Sequence, residues 1–319
     1  MKKPCIVLTG PTAVGKTNLS IMLAQALNGS IISADSMQVY KKMDIGSAKI
    51  REEEKQGIPH YLIDVLDPRE DFNVAVFKDM AEKAIDEILS VGRIPIITGG
   101  TGFYIQALLK NVNFSEESGP SSSRCAYEKL LEENGPFYIH DLLKQKDPEA
   151  ALAIHPNNCK RVIRALEFFD QTGIPISKHN KEEREKGSSY CSLYLVLNDE
   201  RENLYRRIDA RVDEMIRSGL VDEVKKLYEE GLDETYISMK GLGYKELFPY
   251  FRGEETLEEC IRIIKRDTRH FAKRQITWFK REEDVVWINK PDFDYDDKRI
   301  LSHILKLWEK QQKEEDQYE

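Results

Sequence analysis

With 319 residues, 40% of them hydrophobic, the chain is long enough to bury a sizeable core, and we expect one large domain with a smaller one. The five cysteines form no CxxC pair and the six histidines show no metal-ligand spacing, which disfavours a disulfide framework, a structural zinc site and a transition-metal enzyme. The net charge of −8 taken alone argues against a polyanionic partner, and no apolar run approaches the roughly 18 to 20 residues of a membrane helix.

The N-terminal third of the chain alternates between short apolar runs and helical patterns. Strands are predicted at residues 5–8, 30–34 and 94–98, helical patterns at 19–27 and 76–91, and a further apolar run lies at 61–66. Alternation of this kind predicts an α/β fold with a mostly parallel sheet and helices on both faces. Ligands of such sheets bind at the carboxyl ends of the strands.

The pattern changes near residue 114. Residues 114–189 contain a polar stretch at 115–124 and several short helical patterns, and we interpret them as a helical insertion into a core made of residues 1–113 and 190–319. Strand character resumes at 193–197. The remainder is predicted to contain amphipathic helical segments at 204–228 and 256–280, a short strand at 285–288 and a final helix.

The first predicted strand leads into GPTAVGKT at residues 10–17, a complete match to the P-loop pattern GxxxxGK[ST] in its proper place between a strand and a helix. Its glycines let backbone N–H groups face a phosphate, and the start of the helix adds a partial positive charge. Lys16 can neutralise terminal phosphate oxygens, and Thr17 can ligate Mg²⁺. The pattern does not say whether the diphosphate belongs to ATP or to another molecule.

Two strand ends place polar residues beside this loop. Asp35, which follows the second strand, could hold Mg²⁺ through water, accept a proton from a nucleophile or cap the next turn. Residues 98–102 read TGGTG after the strand at 94–98 and bring hydroxyl and N–H groups to the same edge. They could equally form a tight turn with Thr101 as the N-cap of the next helix, and a threonine can do both.

Positive charge is concentrated towards the C-terminus, in a basic stretch at residues 262–281. It contains eight Lys or Arg residues against one acid, Asp267, together with Phe271, Trp278 and Phe279. Arginines and aromatic residues in this combination are typical of RNA contact through phosphate pairing and base stacking. The alternative is a solvated helix face whose aromatic residues belong to the core.

Together these motifs resemble the bacterial tRNA dimethylallyltransferase family, and the resemblance covers almost the whole chain. The family's motifs stand here, in order, as GPTAVGKT at 10–17, DSMQVYKKMDIG at 35–46, TGGTGFY at 98–104, HPN at 155–157, RVIRALE at 161–167, RIDAR at 207–211, GLGYKE at 241–246 and TRHFAKRQITWF at 268–279. A P-loop alone is shared by many folds, whereas the whole set in this order is highly specific.

The resemblance implies a P-loop NTPase-like core in which the loop binds dimethylallyl diphosphate and no ATP is consumed. The acceptor is the exocyclic amine of the adenine just 3′ of the anticodon, flipped out of the anticodon stem-loop of tRNA. The implied cofactor is Mg²⁺, and a cytoplasmic monomer with no membrane association is expected. Eukaryotic relatives carry a C-terminal zinc finger, for which this sequence has no Cys/His pattern.

The resemblance also assigns roles to residues. Asp35 takes the amine proton, and Thr101 contacts the bridging oxygen of the leaving diphosphate. The diphosphate site is expected at Gly10, Pro11, Thr12, Ala13, Val14, Gly15, Lys16 and Thr17, with Arg207 or Arg211, between which the resemblance does not decide. Contacts with tRNA are expected at Asp35, Ser36, Met37, Gln38, Thr101, Arg124, Lys160, Arg161, Val162, Ile163 and Arg164, and in the basic stretch at Arg269, Lys273 and Arg274.

Three other functions stay open at this point. An adenylate isopentenyltransferase would prenylate free AMP, and a small-molecule or nucleotide kinase would transfer phosphate. The helical insertion and the basic stretch favour RNA over AMP as the acceptor. An RNA-binding module with a vestigial P-loop is the third, and the intact Lys16, Thr17 and Asp35 speak against it.

Overall fold

The computed structural model describes residues 2–110, 122–185 and 187–316. The chain forms two compact units, a larger one made of residues 1–109 and 190–319 and a smaller one made of residues 110–189. The boundary expected between residues 113 and 114, and most of the polar stretch at 115–124, lie outside the described residues.

The larger unit is built on a parallel sheet. Its strands are β1 (Lys3–Thr9), β2 (Gly29–Ser33), β3 (His60–Tyr61), β4 (Ile94–Gly99), β5 (Tyr190–Asn198) and β6 (Val286–Asn289). They lie in the order β3-β2-β4-β1-β5-β6, and each neighbouring pair is parallel. The predicted α/β class with a mainly parallel sheet is therefore confirmed.

Thirteen α-helices occur in the described residues. In chain order they are α1 (Lys16–Leu27), α2 (Val74–Ser90), α3 (Gly102–Leu109), α4 (Ser122–Asn134), α5 (Pro136–Lys146), α6 (Pro148–Ala153), α7 (Cys159–Thr172), α8 (Ile176–Glu185), α9 (Arg201–Arg217), α10 (Leu220–Glu229), α11 (Phe248–Phe251), α12 (Leu257–Phe279) and α13 (Asp297–Asp316). None of these helices combines the length and the apolar character that crossing a membrane requires.

The central strands are buried because their sequences are continuous apolar runs. Ile6 and Leu8 in β1 and Ile96 in β4 are fully buried. Such runs are expected where helices cover both faces of a parallel sheet. The same core extends into α1 through Leu19 and into α13 through Ile304, so the P-loop that joins β1 to α1 rests on a rigid base.

Two predicted segments differ from the observed elements. The apolar run at 61–66 yields only the short strand β3, because Leu62 and Asp64 have φ angles of 61° and 57°, which end an extended strand. The segment predicted as helical at 204–228 is two helices, α9 and α10. The break falls at Gly219, whose φ of 99° is left-handed and interrupts the helix.

The smaller unit is helical wherever it is described, from α4 to α8. Its core contains Ile139 and Leu143 from α5 together with Val162 and Leu166 from α7, all with 0% exposure. This unit has a hydrophobic core of its own, as an independent insertion requires.

Candidate active site

The P-loop adopts a backbone that its glycines make possible. Gly10 has a φ of 143°, and a Cβ atom there would lie 2.2 Å from the carbonyl oxygen of Leu197 in β5. Gly15 has a φ of 101° and immediately precedes the first turn of α1. The loop therefore ends at a helix N-terminus, where backbone N–H groups and the helix dipole favour an anion.

Lys16 is folded back onto the loop. Its Nζ atom donates hydrogen bonds to the carbonyl oxygens of Gly10 (3.0 Å) and Pro11 (2.8 Å). Burial, followed by the positive charge of Arg211, lowers the pKa of Lys16, while the negative charge of Asp35 raises it, and the net pKa is about 7. An arriving diphosphate would supply the counter-charge that this amine lacks.

The first half of the loop is engaged by the protein itself. Pro11 has no N–H group, and the N–H group of Thr12 donates to Oε1 of Gln275 in α12 at 2.9 Å. The N–H groups that can face a diphosphate are therefore those from Ala13 onward.

Asp35 and Thr101 lie side by side at the carboxyl edge of the sheet. The N–H group of Ala34 donates to the carbonyl of Thr98 (2.7 Å), and the N–H group of Thr101 donates to the carbonyl of Ala34 (3.3 Å). Asp35 Oδ1 accepts the N–H group of Met37 at 2.8 Å. Asp35 thus caps a turn, as one sequence interpretation had it, and its side chain also lines the cavity described next.

Thr101 is also the residue before α3. Its carbonyl oxygen accepts the N–H groups of Tyr104 (2.9 Å) and Ile105 (3.3 Å). The residue therefore stands at the helix start, while it lines the same cavity as Asp35. Its position is compatible with both interpretations, and its contact with the leaving diphosphate stays a prediction.

One cavity of about 810 Å³ joins these groups. The P-loop residues Lys16 and Thr17 line it together with Asp35 and Thr101. The P-loop and a carboxylate at a strand end thus open onto the same space, as the parallel sheet predicts.

Aromatic side chains form an apolar part of the cavity wall. Phe72 and Tyr104 line it, with their rings edge to face at 5.6 Å, and Tyr104 also stacks on Phe77 at 4.8 Å. Burial, then the neighbouring Tyr40 and Asp35, raise the pKa of Tyr104, so its phenol stays protonated at neutral pH. This wall suits an apolar group next to the charged loop.

Arg207 and Arg211, both from α9, line the cavity. A Cβ atom on Gly15 would lie 3.2 Å from Nη2 of Arg207, so that guanidinium lies beside the P-loop. Its Nη1 atom is 3.8 Å from Oδ2 of the buried Asp199. Burial lowers the pKa of Arg211, and Asp35 raises it. The sequence left the choice between the two arginines open, and the structure brings both to the site.

The cations of the basic stretch fall into two groups, of which the first is paired within the protein. The first four cations form ion pairs within the protein, namely Arg262 with Glu259, Lys265 with Asp213, Arg266 with Asp267 and Arg269 with Asp209. Arg269 was expected to contact tRNA, but its charge is engaged by Asp209.

The second half of α12 and the turn that follows it carry a basic surface, which we define as His270, Lys273, Arg274, Thr277, Trp278 and Arg281. These residues surround a surface cavity of about 540 Å³. Lys273 and Arg274 are exposed, and Arg274 also lines the larger cavity. Two of the three cations predicted for RNA contact in this stretch are therefore in a position to make it.

Two family models match the chain. The IPP transferase model matches residues 38–282, and the isopentenyl transferase model matches residues 4–70. The chain belongs to the IPP transferase family. The first match includes the helix that carries Gln275, and the second includes the P-loop and Asp35.

Similar proteins agree with this assignment. The tRNA dimethylallyltransferase of Lachnoclostridium phytofermentans is 57% identical over 305 residues, which cover 96% of this chain and 97% of the relative. The full-length tRNA isopentenylpyrophosphate transferase of Bacillus halodurans has a similar structure, with a TM-score of 0.74, 44% identity and coverage of 98% of this chain and 99% of that one. A eukaryotic dimethylallyltransferase acting on tRNA matches with a TM-score of 0.79 and 35% identity over 90% of this chain and 74% of its own.

The sequence analysis of this IPP transferase did not identify Glu223, which binds the end of the motif at residues 35–46. Glu223 in α10 accepts the N–H groups of Asp44 (2.9 Å), Ile45 (2.7 Å) and Gly46 (3.1 Å). It also accepts the hydroxyl of Tyr244 at 2.8 Å. The tyrosine ring lies against Gly46, where a Cβ atom would come within 2.5 Å of it. The motifs DSMQVYKKMDIG and GLGYKE therefore meet at Glu223.

The smaller unit contains the remaining residues expected to contact tRNA. Lys160, Arg161 and Arg164 are exposed on α7. Val162 and Ile163 are buried, at 0% and 4% exposure, in the core of that unit. The expectation that the side chains of these two residues contact tRNA is therefore corrected. They lie on the face of α7 that packs into the core of the smaller unit, whereas Lys160, Arg161 and Arg164 lie on its exposed face.

Arg124 lies in α4 and is half-buried. It forms ion pairs with Glu128 (3.4 Å) and Glu167 (3.7 Å) of the same unit. A tRNA phosphate at this position would have to compete with two carboxylates. The expectation of a tRNA contact at Arg124 stays a prediction.

The residues at the P-loop fit Mg²⁺ in the manner of P-loop proteins. Thr17 lies in the first turn of α1 and lines the same cavity as Asp35. Among the described residues no cluster of three His, Cys, Asp or Glu side chains could form an all-protein metal cage. Mg²⁺ is usually held by one or two protein oxygens, by water and by substrate phosphates, and Thr17 is suited to that arrangement.

Proposed function

We propose that this IPP transferase transfers the dimethylallyl group of dimethylallyl diphosphate to the exocyclic amine of the adenine 3′ of the anticodon in tRNA and releases diphosphate. The observation that carries the proposal is the single cavity of about 810 Å³ onto which both the P-loop and the Asp35–Thr101 edge open. The relative from Lachnoclostridium phytofermentans is named for the same reaction, and a structurally similar eukaryotic protein acts on tRNA.

The diphosphate end of the donor suits the P-loop. Lys16, Arg207 and Arg211 line the cavity together with the P-loop residues Ala13 and Gly15, and the Thr12 N–H group is already engaged by Gln275. An allylic C–O bond breaks readily once the charge on its leaving group is neutralised, so these cations stabilise the departing diphosphate. Mg²⁺ held by Thr17 would supply further neutralisation of the same oxygens.

The acceptor end suits Asp35. The adenine amine attacks the allylic carbon, so a C–N bond forms while the C–O bond to diphosphate breaks. The amine becomes acidic only as the new bond forms, so an ordinary carboxylate can take its proton. Asp35 fills that role in the proposal, and Thr101 beside it contacts the bridging oxygen of the leaving group.

The basic surface of α12 favours RNA over free AMP as the acceptor. Lys273 and Arg274 are exposed, and Arg274 lies between the surface cavity and the main cavity. A mononucleotide is too small to contact cations outside the pocket, whereas the phosphates of an RNA backbone extend far enough to pair with them. We therefore place the path of the tRNA along this surface.

The test is nucleoside analysis by mass spectrometry. Unmodified tRNA is incubated with the protein, Mg²⁺ and dimethylallyl diphosphate without ATP, and then digested to nucleosides. The expected product is dimethylallyl-adenosine, formed by the wild type and absent with Lys16→Ala. A requirement for ATP, phosphate transfer from labelled ATP, or prenylation of AMP in preference to tRNA would contradict the proposal.

A further inference from the structure

Gln275 connects the two loops that meet in the cavity. Its side chain, on α12, is only 6% exposed. Oε1 accepts the N–H group of Thr12 at 2.9 Å, and Nε2 donates to the carbonyl oxygen of Gly100 at 3.0 Å. One buried amide is thus bonded to the P-loop with one atom and to the TGGTG loop with the other.

The amide of Gln275 supplies what both bonds need. The Thr12 N–H group needs an acceptor and the Gly100 carbonyl needs a donor, and a glutamine side chain presents one of each. The fit is also tight, because a Cβ atom on Gly100 would lie 2.2 Å from Nε2 of Gln275. The glycine at position 100 leaves the room that this amide occupies.

The two loops carry different parts of the reaction. The P-loop holds the diphosphate in the proposed function, and the TGGTG loop carries Thr101 next to Asp35. Their separation fixes how far the leaving group lies from the groups that act on it. A misplacement of about 1 Å between reacting groups can cost on the order of 10²-fold in rate.

We propose that Gln275 is a positioning residue that sets the distance between the P-loop and the TGGTG loop and thereby the rate of dimethylallyl transfer. The inference rests on the proposed function. Gln275 does not contact the reacting atoms in this account and acts through the backbones of Thr12 and Gly100.

The experiment compares Gln275→Met with the wild type and with Glu258→Met, an exposed position on the same helix. Methionine keeps the length of glutamine but makes neither hydrogen bond. Single-turnover rates are measured at saturating tRNA and dimethylallyl diphosphate, with tRNA affinity and a melting curve for each variant. Gln275→Met is expected to bind tRNA within about three-fold of the wild type while its rate falls by about 10- to 100-fold, and Glu258→Met is expected to match the wild type.

A second pair of variants separates an effect on the position of the loops from an effect on folding. Gly100→Ala alone crowds the amide, and the crowding is absent in Gly100→Ala combined with Gln275→Ala. The double variant is expected to melt at a higher temperature than Gly100→Ala and to remain slow, because the link between the loops is still missing. A folded Gln275→Met with a wild-type rate, or a rate that follows only the folded fraction, would overturn the inference. If the wild type itself fails to modify tRNA, the proposed function fails first.

Discussion

Gly99 lies directly against the backbone of Ala34, where a Cβ atom on the glycine would stand 2.3 Å from the alanine carbonyl oxygen. This contact holds the carboxyl ends of β4 and β2 together. The residues that follow those ends, Thr101 and Asp35, consequently face one cavity. The proposed reaction therefore requires that residue 99 has no side chain.

Gly99→Ala should separate the two strand ends. The three nearest atoms to the added methyl group all belong to the backbone of Ala34, so no flexible side chain can move aside. Overpacking of this kind costs about 1–3 kcal/mol of unfolding free energy, and we expect the single-turnover rate to fall at least about tenfold. Thermal unfolding and rate measurements on the same preparation check both effects.

Gly57→Ala is the matched control, because Gly57 has a φ of 75° and no atom within 4 Å of an added Cβ. It should lose about 1–2 kcal/mol through backbone strain alone and keep its rate per folded molecule. A normal rate in folded Gly99→Ala would show that the close approach is not needed for the reaction.

Lys16 makes binding of the donor dependent on pH. Its pKa is lowered to about 7 in the free protein and is raised by a bound diphosphate, so binding above pH 7 takes up a proton. The dissociation constant for dimethylallyl diphosphate should rise between pH 7 and 9, by up to about tenfold per pH unit. Titration calorimetry in buffers of different ionisation enthalpy measures the proton uptake.

The same shift affects folding stability with a defined sign. The pKa of Lys16 is lower in the folded chain than its ordinary value of 10.5, so the unfolded chain binds more protons between these values. The contribution of Lys16 to the free energy of unfolding therefore becomes more favourable to the folded state as the pH rises from about 7 to 10.5. Lys16→Ala should lack both this trend and the pH dependence of binding. A variant that keeps the full pH dependence of binding would assign it to another group.

Lys273 in α12 and Arg281, which follows the end of that helix, should contribute to the salt dependence of tRNA binding, because neither forms an ion pair among the described residues. Replacing both with Gln should weaken binding and reduce the slope of log affinity against log salt by about 2, one unit for each lost phosphate contact. Binding is measured from low to moderate salt with the same tRNA.

Arg262→Gln with Arg266→Gln removes two charges from the same helix at positions paired with Glu259 and Asp267. This control should leave the slope near that of the wild type. Equal slopes for the two double variants would mean that α12 contributes only net charge to RNA binding.

Local patterns were enough to predict the parts of the fold that local physics decides. The P-loop, the strand ends at Asp35 and Thr98 and the helical nature of α12 follow from periodicity and turn residues that are close in sequence. The partners of individual α12 cations could not be predicted in this way, because counting charges along the sequence does not show that Arg269 pairs with Asp209, 60 residues earlier. A tRNA contact at Arg269 stays a prediction.

Long-range polar partners could not be predicted from the same patterns. Thr12 and Gln275 are 263 residues apart, and Glu223 reaches Gly46 across 177 residues. A buried glutamine and a glutamate on an amphipathic helix look like surface residues until the fold brings their partners to them. The signal that could have pointed to them was the presence of Gln275 and Tyr244 within family motifs.

The proton acceptor is the central claim of the mechanism, and Asp35→Asn tests it most directly. Asparagine keeps the oxygen that accepts the Met37 N–H group, so the turn and the fold should persist. It removes the carboxylate that takes the amine proton. We expect tRNA and dimethylallyl diphosphate to bind within a few-fold of the wild type, and the single-turnover rate to fall by about 10²-fold or more at every Mg²⁺ concentration. A near-normal rate, or a loss that disappears as Mg²⁺ is raised, would contradict the role of Asp35 as the base.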